Sequence, residues 1–227
     1  MKNDKIVHLI EAFRSFQGEG PDSGKAMYIL RFKTCDRKCP WCDTSVKMRI
    51  SMEAPYQLLD IKNMLDRDSA GLLITGGEPT VPRHFDETVM LLNSLDYPIA
   101  NVETNGFNVV ELLKNIDYVN KPIKVILSPK VFNKTDFDFY SNILKEVHDH
   151  PALYLKFVYE PENRDCIAFL EYIRINYPNL VKEQRVWLMP EGTTRSELIT
   201  NAEKVFDACE KYNFNFSSRS HIIYGFV

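Results

Sequence analysis

The amino-acid sequence predicts an α/β fold, an open, partial β/α barrel with about six parallel strands. Two observations support this prediction. Short apolar runs alternate with longer segments in which apolar residues recur at helical spacing. Polar and glycine-rich residues follow most of the apolar runs. This placement is typical of active sites at the carboxyl ends of parallel strands.

The predicted elements alternate along the chain. The strands are expected at residues 27–33, 71–75, 99–103, 125–127, 154–159 and 185–188. The helices are expected at residues 56–66, 85–95, 109–115, 137–147, 164–176 and 195–212. This order indicates βαβ units and a parallel sheet, with too few units for a closed eight-stranded barrel. The chain has 227 residues and no linker or repeat, so a single domain, residues 1–227, is expected.

Composition excludes several classes of protein. A net charge of -3 argues against a generic nucleic-acid-binding surface. No segment approaches the roughly 20 apolar residues of a membrane helix, and the N-terminus lacks a secretory hydrophobic region, so a cytoplasmic protein is expected. Of the five cysteines, three lie between residues 35 and 42. This odd, clustered set suits a metal or cluster site better than a disulfide framework.

The predicted strand ends carry the residues that suggest chemistry. Cys35 follows the first strand, and further polar motifs follow four of the others. Those motifs are Gly76-Gly77-Glu78-Pro79, Thr104-Asn105-Gly106, Ser128-Pro129-Lys130 and Pro190-Glu191-Gly192. Because the carboxyl ends of parallel strands share one edge of the sheet, these motifs predict an active site there.

Three cysteines, Cys35, Cys39 and Cys42, are spaced closely enough to bind one metal centre. A [4Fe-4S] cluster usually takes four thiolates, so three would leave one iron open to an exogenous ligand. Structural zinc takes four protein ligands, and no fourth cysteine or histidine lies nearby in the sequence. A zinc site completed by a distant histidine remains the alternative.

The Cys-x3-Cys-x2-Cys spacing, with Trp41 before the last cysteine, resembles the signature of radical S-adenosylmethionine (SAM) enzymes. Gly76-Gly77-Glu78-Pro79 resembles the motif with which that superfamily binds the SAM amine. The resemblance implies a partial barrel of the radical SAM type. It also implies a [4Fe-4S] cluster whose open iron chelates the amino and carboxylate groups of SAM. Reductive cleavage of SAM then yields methionine and a 5′-deoxyadenosyl radical.

A narrower resemblance follows from the segment Phe16-Gln17-Gly18-Glu19-Gly20-Pro21. Together with Arg31-Phe32, Trp41-Cys42-Asp43-Thr44 and Glu103-Thr104-Asn105-Gly106, it resembles the 7-carboxy-7-deazaguanine synthase family. That family contracts the ring of 6-carboxy-5,6,7,8-tetrahydropterin to 7-carboxy-7-deazaguanine with loss of ammonia, on the route to queuosine and other 7-deazapurines. The resemblance implies Mg²⁺, a homodimer and an electron donor such as flavodoxin or ferredoxin, with no nucleic-acid or membrane partner.

The residues themselves suggest some of the roles. Arg31 suits a bidentate clamp on the substrate carboxylate, although an isolated arginine is more often structural. Gln17 and Glu19 flank glycines, where backbone approaches a ligand closely, and their side chains suit the N–H groups of a pterin ring. A solvated turn is the simpler alternative for this segment.

The resemblance implies the remaining roles. Cys35, Cys39 and Cys42 would bind the cluster and Thr44 the Mg²⁺. The substrate contacts would be Phe16, Gln17, Gly18, Glu19, Arg31, Thr75, His221 and Val227. The SAM contacts would be Trp41, Cys42, Asp43, Gly77, Glu78, Glu103, Asn105, Ser128, Lys130 and Met189. Two other functions remain possible, another small radical SAM enzyme such as a glycyl-radical activase and a non-enzymatic zinc-binding domain.

Overall fold

The computed structural model describes residues 5–226, and the side chains of all of these except Ser45 and Met48. The chain divides into two compact units. The N-terminal unit comprises Met1–Phe16 and Lys25–Val125, and the C-terminal unit comprises Gln17–Gly24 and Ile126–Val227. The glycine-rich segment that begins at Gln17 therefore belongs to the C-terminal unit.

The N-terminal unit contains strands and helices in alternation. Its strands are β1 (Ile6–Leu9), β2 (Glu11–Phe16), β3 (Ala26–Phe32), β4 (Ala54–Gln57), β5 (Gly71–Gly76) and β6 (Ala100–Thr104). Its helices are α1 (Ser45–Ile50), α2 (Leu58–Asp68), α3 (Phe85–Ser94) and α4 (Val109–Asn115). The next strand, β7 (Ile123–Leu127), contains the boundary between the two units.

The sheet of the N-terminal unit has β3 next to β5 and β5 next to β6, all parallel. Strand β2 pairs antiparallel with β3, while β1 and β4 form a separate antiparallel pair. Leu72, Leu73 and Ile74 of β5 are all buried, as expected for a parallel strand covered on both faces. In the register, Arg31 of β3 lies beside Thr75 of β5, so these two strands end at the same level.

The C-terminal unit continues the alternation. Its helices are α5 (Lys134–Val147), α6 (Arg164–Asn176), α7 (Pro178–Lys182), α8 (Arg195–Tyr212) and α9 (Ser220–Tyr224). Its strands β8 (Leu153–Tyr159), β9 (Val186–Pro190) and β10 (Asn215–Phe216) are parallel, in the order β10-β9-β8. A short 3-10 turn spans Gly20–Asp22.

Local signals explain where the longer helices of this unit begin. The Asn133 side chain accepts the Asp136 N–H at the start of α5, and Asn163 caps α6 in the same way. Helix α8 begins with a capping box, in which Thr194 accepts the Glu197 N–H and the Glu197 side chain accepts the Thr194 N–H.

The predicted alternation is confirmed. The six predicted strands correspond to β3 and β5 to β9, and the six helices to α2 to α6 and α8, with boundaries shifted by up to three residues. β2 was not among the six predicted strands, because this edge strand is only partly buried and its residues mix charged and apolar types. The expected single domain stays a prediction. None of the helices in residues 5–226 combines the length and the apolar character needed to cross a membrane.

Candidate active site

The loop after β3 carries Cys35, Cys39 and Cys42, all partly exposed and none in a disulfide. The N–H of Arg37 donates to Cys35 Sγ over an N–S distance of 3.5 Å. The Cys42 N–H donates to the Cys39 carbonyl over 3.3 Å, which closes a tight turn. These turns keep the three thiols within one short stretch of backbone.

Burial raises the pKa of the Cys35 thiol to about 11. The N–H of Arg37 opposes this rise, whereas the nearby Asp36, Glu78 and Cys39 add to it. A thiol with so high a pKa is protonated at neutral pH unless a cation binds to it, and metal binding releases the proton.

The turn after β5 lies directly against the backbone that leads into the cysteine loop. Gly76 has a φ of +125°, a conformation that side chains rarely adopt. The N–H of Gly77 donates to the Phe32 carbonyl over 2.9 Å, and the N–H of Glu78 donates to the Thr34 carbonyl over 2.7 Å. A Cβ at Gly77 would lie 2.1 Å from the Thr34 carbonyl oxygen, so only glycine permits this approach.

Glu78 is almost fully buried and joins the turn after β5 to the turn after β6. Its Oε1 accepts hydrogen bonds from the backbone N–H and hydroxyl of Thr80 and from the Thr104 hydroxyl, at 2.9, 2.6 and 2.7 Å. Its Oε2 accepts the N–H of Asn105 at 2.5 Å. Burial raises the pKa of Glu78, and these hydrogen bonds oppose the rise. The carboxylate thus braces both turns.

Asn105 connects the turn after β6 to the cysteine loop. Its Nδ2 donates to Asp36 Oδ1 over 2.7 Å and lies 4.0 Å from Cys35 Sγ. Two residues earlier, Glu103 Oε2 accepts the Thr75 hydroxyl over 3.3 Å. The N-terminal unit therefore brings together the strand-end residues predicted from β3, β5 and β6.

Arg31 belongs to a second group of charges in this unit, which we call the Glu11 cluster: Glu11, Arg31 and Lys47. Arg31 Nε donates to Glu11 Oε1 over 2.5 Å, and Lys47 Nζ lies 3.0 Å from Glu11 Oε2. Burial raises the pKa of Glu11, but the hydrogen bonds from the two cations outweigh burial, so the pKa lies below its ordinary value. The carboxylate is therefore ionised at neutral pH and fixes the Arg31 guanidinium at the end of β3.

The C-terminal unit contains a third group of charges, which we call the Glu19 cluster: Glu19, Lys156, Arg219 and His221. Lys156 Nζ donates to Glu19 Oε2 over 2.6 Å, and Arg219 Nε donates to Glu19 Oε1 over 3.0 Å. His221 Nε2 lies 3.8 Å from Glu19 Oε1. The Lys156 and Arg219 side chains are only 2% and 4% exposed, and that of Glu19 is 9% exposed. The glutamate carboxylate is thus held between two buried cations.

Gly18 lies against the imidazole of His221. A Cβ at Gly18 would lie 2.2 Å from His221 Nδ1, so a side chain there would displace the imidazole. The Gly18 carbonyl accepts both the N–H and the hydroxyl of Ser220 over 3.0 Å. Gln17, also buried, accepts the N–H of Glu19 on Oε1 over 3.3 Å. Four of the predicted substrate residues, Gln17 to Glu19 and His221, therefore form one group.

Comparison with known proteins identifies the family. The profile described as the Radical SAM superfamily matches residues 29–159. The 7-carboxy-7-deazaguanine synthase of Aquifex aeolicus is 31% identical over 206 residues, covering 90% of this chain and 86% of that protein. The chain belongs to the 7-carboxy-7-deazaguanine synthase family of radical SAM enzymes. The enzyme of that name from Hyperthermus butylicus is 27% identical over 229 residues, covering 96% and 92% of the two chains.

Two solved structures show the same fold. The crystal structure of QueE from Escherichia coli has a TM-score of 0.59 and 20% identity, covering 95% of each chain. Streptococcus suis SuiB bound to S-adenosylmethionine has a TM-score of 0.55 and 19% identity, covering 84% of this chain and 51% of SuiB. The radical SAM type of α/β fold predicted from the sequence is therefore confirmed.

Membership of the radical SAM superfamily implies a [4Fe-4S] cluster and SAM, and the cysteine loop suits such a cluster. Its three thiols are partly exposed, are not in disulfides and are supplied from one loop. The Arg37 N–H that points at Cys35 Sγ is of the kind that tunes cluster thiolates. Membership also rules out a non-enzymatic zinc-binding domain, since the chain belongs to an enzyme family.

The roles of the other predicted site residues in binding stay predictions. Thr44 precedes α1 and donates its hydroxyl to Asp43 Oδ1 over 2.9 Å. Trp41 is buried in the cysteine loop, whereas Phe16 is half exposed at the end of β2. Val227 lies outside the described residues.

The remaining predicted SAM contacts belong to the C-terminal unit. Beyond the end of β7, Lys130 Nζ donates to the Ser128 hydroxyl over 2.8 Å. Met189 is buried in β9.

Sequence reasoning missed the partners that hold the predicted residues. No role was predicted for Lys156, Arg219 or Glu11. One signal was visible for Lys156, because a lysine interrupts an otherwise apolar strand, Leu-Tyr-Leu-Lys-Phe-Val-Tyr. A buried charge inside such a strand requires a partner of opposite charge.

Proposed function

We propose that the protein converts 6-carboxy-5,6,7,8-tetrahydropterin to 7-carboxy-7-deazaguanine and ammonia. The substrate contains the atoms of product plus ammonia, so the conversion needs no net oxidant or reductant. The observation that carries the proposal is the similarity to an enzyme of that name over 90% of this chain. The buried Glu19 carboxylate supports it, because a carboxylate suits the paired N–H groups of a pterin ring.

Cys35, Cys39 and Cys42 would hold the cluster and leave one iron for SAM. When bound, the cluster and SAM would supply the radical chemistry that removes hydrogen from C6 of the substrate. Gly77 offers its carbonyl oxygen to the SAM ammonium group, since its N–H already bonds to Phe32. Further SAM contacts are proposed for Trp41, Asp43, Glu78, Glu103, Asn105, Ser128, Lys130 and Met189.

Arg31 would bind the substrate carboxylate. Its Nε donates to Glu11, and this bond fixes the orientation of the guanidinium. The two terminal nitrogens would then donate together to the substrate carboxylate. Gln17, Glu19 and His221 would bind the polar edge of the ring, with Phe16, Gly18, Thr75 and Val227 as further contacts.

We further propose that Mg²⁺ binds to Thr44 and to the substrate carboxylate, supported by Asp43. Magnesium prefers oxygen ligands and retains several waters, which suits a partly exposed hydroxyl. By resemblance to the family, the protein would be a cytoplasmic homodimer that receives electrons from a flavodoxin or ferredoxin and has no nucleic-acid or membrane partner.

An anaerobic assay tests the reaction. The reconstituted enzyme is given carboxytetrahydropterin, SAM and a reductant, with and without Mg²⁺, and the product is identified by mass spectrometry. We expect 7-carboxy-7-deazaguanine, at a higher rate with Mg²⁺. SAM cleavage without any ring-contracted product would favour a different radical SAM reaction, such as that of a glycyl-radical activase.

Cys39→Ala tests the cluster assignment. Two thiolates cannot hold the cluster in the same way, so the variant should lose bound iron and all SAM cleavage. Iron and sulfide analysis after anaerobic purification measures the loss, and Cys209→Ala in the C-terminal unit is the control. A full cluster in the Cys39 variant would contradict the ligand assignment.

A further inference from the structure

The Glu19 carboxylate is not only buried but also bonded to a cation at each of its two oxygens. Lys156 donates to one carboxylate oxygen of Glu19, at 2.6 Å, and Arg219 donates to the other, at 3.0 Å. A carboxylate held at both oxygens cannot rotate about its terminal bond without breaking one of these bonds. A carboxylate offers about four acceptor positions, which is more than these two bonds use.

The two cations are themselves fixed in the C-terminal unit. Lys156 extends from the middle of β8, and its side chain is almost fully buried. Arg219 uses a second nitrogen, Nη1, to donate to the Gly192 carbonyl over 2.5 Å. The backbone beside Glu19 is also held, because the N–H of Gly20 donates to the Ser217 hydroxyl over 2.7 Å. The carboxylate therefore has a defined place and orientation before any ligand binds.

We propose that Lys156 and Arg219 are positioning residues that hold the Glu19 carboxylate in one orientation, toward two adjacent N–H groups of the substrate ring. The inference rests on the proposed function, because it assigns Glu19 to the amino-pyrimidinone edge of the pterin. That edge carries a ring N–H beside an exocyclic amino group, and a carboxylate accepts from both at once. Neither cation touches the substrate, and each acts through Glu19.

A structural role for the same ion pairs is the alternative, in which they only tie the glycine-rich segment to β8 and to the C-terminal region. The two roles differ in what they do to substrate discrimination. Loss of positioning weakens the enzyme's preference for a ring that bears the amino group. Loss of a structural tie lowers turnover of all substrates and the cleavage of SAM together.

The test compares Lys156→Met with Arg185→Met in the reconstituted holoenzyme. Arg185 is the matched control because it is also a buried cation of this unit, bonded to the carbonyls of His150 and Leu153 and paired with Glu183. Each variant receives 6-carboxytetrahydropterin or its 2-desamino analogue. The measured quantities are KM, kcat and SAM cleavage in the absence of pterin.

We expect Lys156→Met to raise the KM for the carboxypterin about 10- to 100-fold, the range for loss of a charged hydrogen bond, and to spare SAM cleavage. Its preference for the carboxypterin over the desamino analogue should fall by a similar factor. Arg185→Met should keep the preference of the unmodified enzyme. Arg219→Gln is the second variant, with the same expected loss of preference, should Lys156→Met fail to fold.

The outcomes separate this inference from the proposed function. An unmodified enzyme that converts neither pterin would overturn the proposed function and the inference with it. An active enzyme whose Lys156 and Arg219 variants keep the preference for the amino group would overturn the positioning role alone. Equal losses on both pterins and in SAM cleavage would also refute positioning in favour of the structural tie.

Discussion

The Glu11 and Glu19 clusters each contain a glutamate between two cations. They differ in their exposure to solvent and in which member is proposed to contact the substrate. In the Glu11 cluster the Glu11 and Lys47 side chains are 23% and 39% exposed. In the Glu19 cluster the Glu19 and Lys156 side chains are 9% and 2% exposed. The first cluster presents an arginine held by a carboxylate, and the second presents a carboxylate held by two cations.

Exposure to solvent determines how much free energy is lost when one member of such an ion pair is removed. Solvent screens the charges of Glu11 and Lys47, so losing one of these two leaves the other hydrated, although the Arg31 side chain is only 11% exposed. In the Glu19 cluster, losing the carboxylate would remove the anion to which both buried cations donate, which is far less favourable. Removing one partner from the buried cluster should therefore cost far more stability than removing one from the exposed cluster.

The largest expected effect is the difference in the free energy of unfolding between matched substitutions of the two glutamates. Glu19→Gln should lower the free energy of unfolding by roughly 3–5 kcal/mol, because two buried cations lose their anion. Glu11→Gln should lower it by about 1 kcal/mol or less, because water reaches both the position of the carboxylate and Lys47. Anaerobic urea denaturation of the two variants and the unmodified protein measures both. Equal losses would show that exposure does not separate the clusters.

Removal of the proposed carboxylate-binding arginine should mainly affect substrate affinity. Arg31→Ala should weaken carboxypterin binding by roughly 2–5 kcal/mol, the range for truncating one member of a buried charge pair. SAM cleavage without substrate should continue, because Arg31 has no proposed contact with SAM. Steady-state kinetics measures both effects.

Lys47→Ala is the control within the same cluster. Lys47 is the more exposed cation and has no proposed substrate contact, so its loss should change affinity by about threefold or less. Unchanged affinity in Arg31→Ala, or an equal loss in both variants, would remove Arg31 from the substrate site.

Local spacing explains why part of the site was predictable from the sequence. Cys35, Cys39 and Cys42 lie within one loop, and the glycines of the turn after β5 follow a strand directly, so motif and position appear together in the sequence. The clash that a side chain at Gly77 would make with Thr34 is the physical reason for that glycine, although only the structure reveals it.

The partners of the predicted residues were not predictable by the same means. Lys156 is 137 positions from Glu19 in the sequence, and Arg219 is 200 positions away. Glu11 meets Arg31 only because β2 pairs antiparallel with β3 in a register that places the two side by side. The spacing of residues along the chain does not predict such long-range contacts. The lysine in an otherwise apolar strand, by contrast, indicates that a partner exists.

The smallest expected effect is the pH dependence of the Glu11 cluster. The pKa of Glu11 in the folded protein lies below its ordinary value of 4.5, because the hydrogen bonds from Arg31 and Lys47 outweigh the effect of burial. A group whose pKa is lowered by folding stabilises the protein fully above its unfolded pKa and loses that contribution as the pH falls through the folded pKa. The stability difference between the unmodified protein and Glu11→Gln should thus be constant between about pH 6 and 8 and shrink in acid. Urea denaturation over this pH series measures it, and a difference that persisted at about pH 3 would show that Glu11 acts by packing and not by its charge.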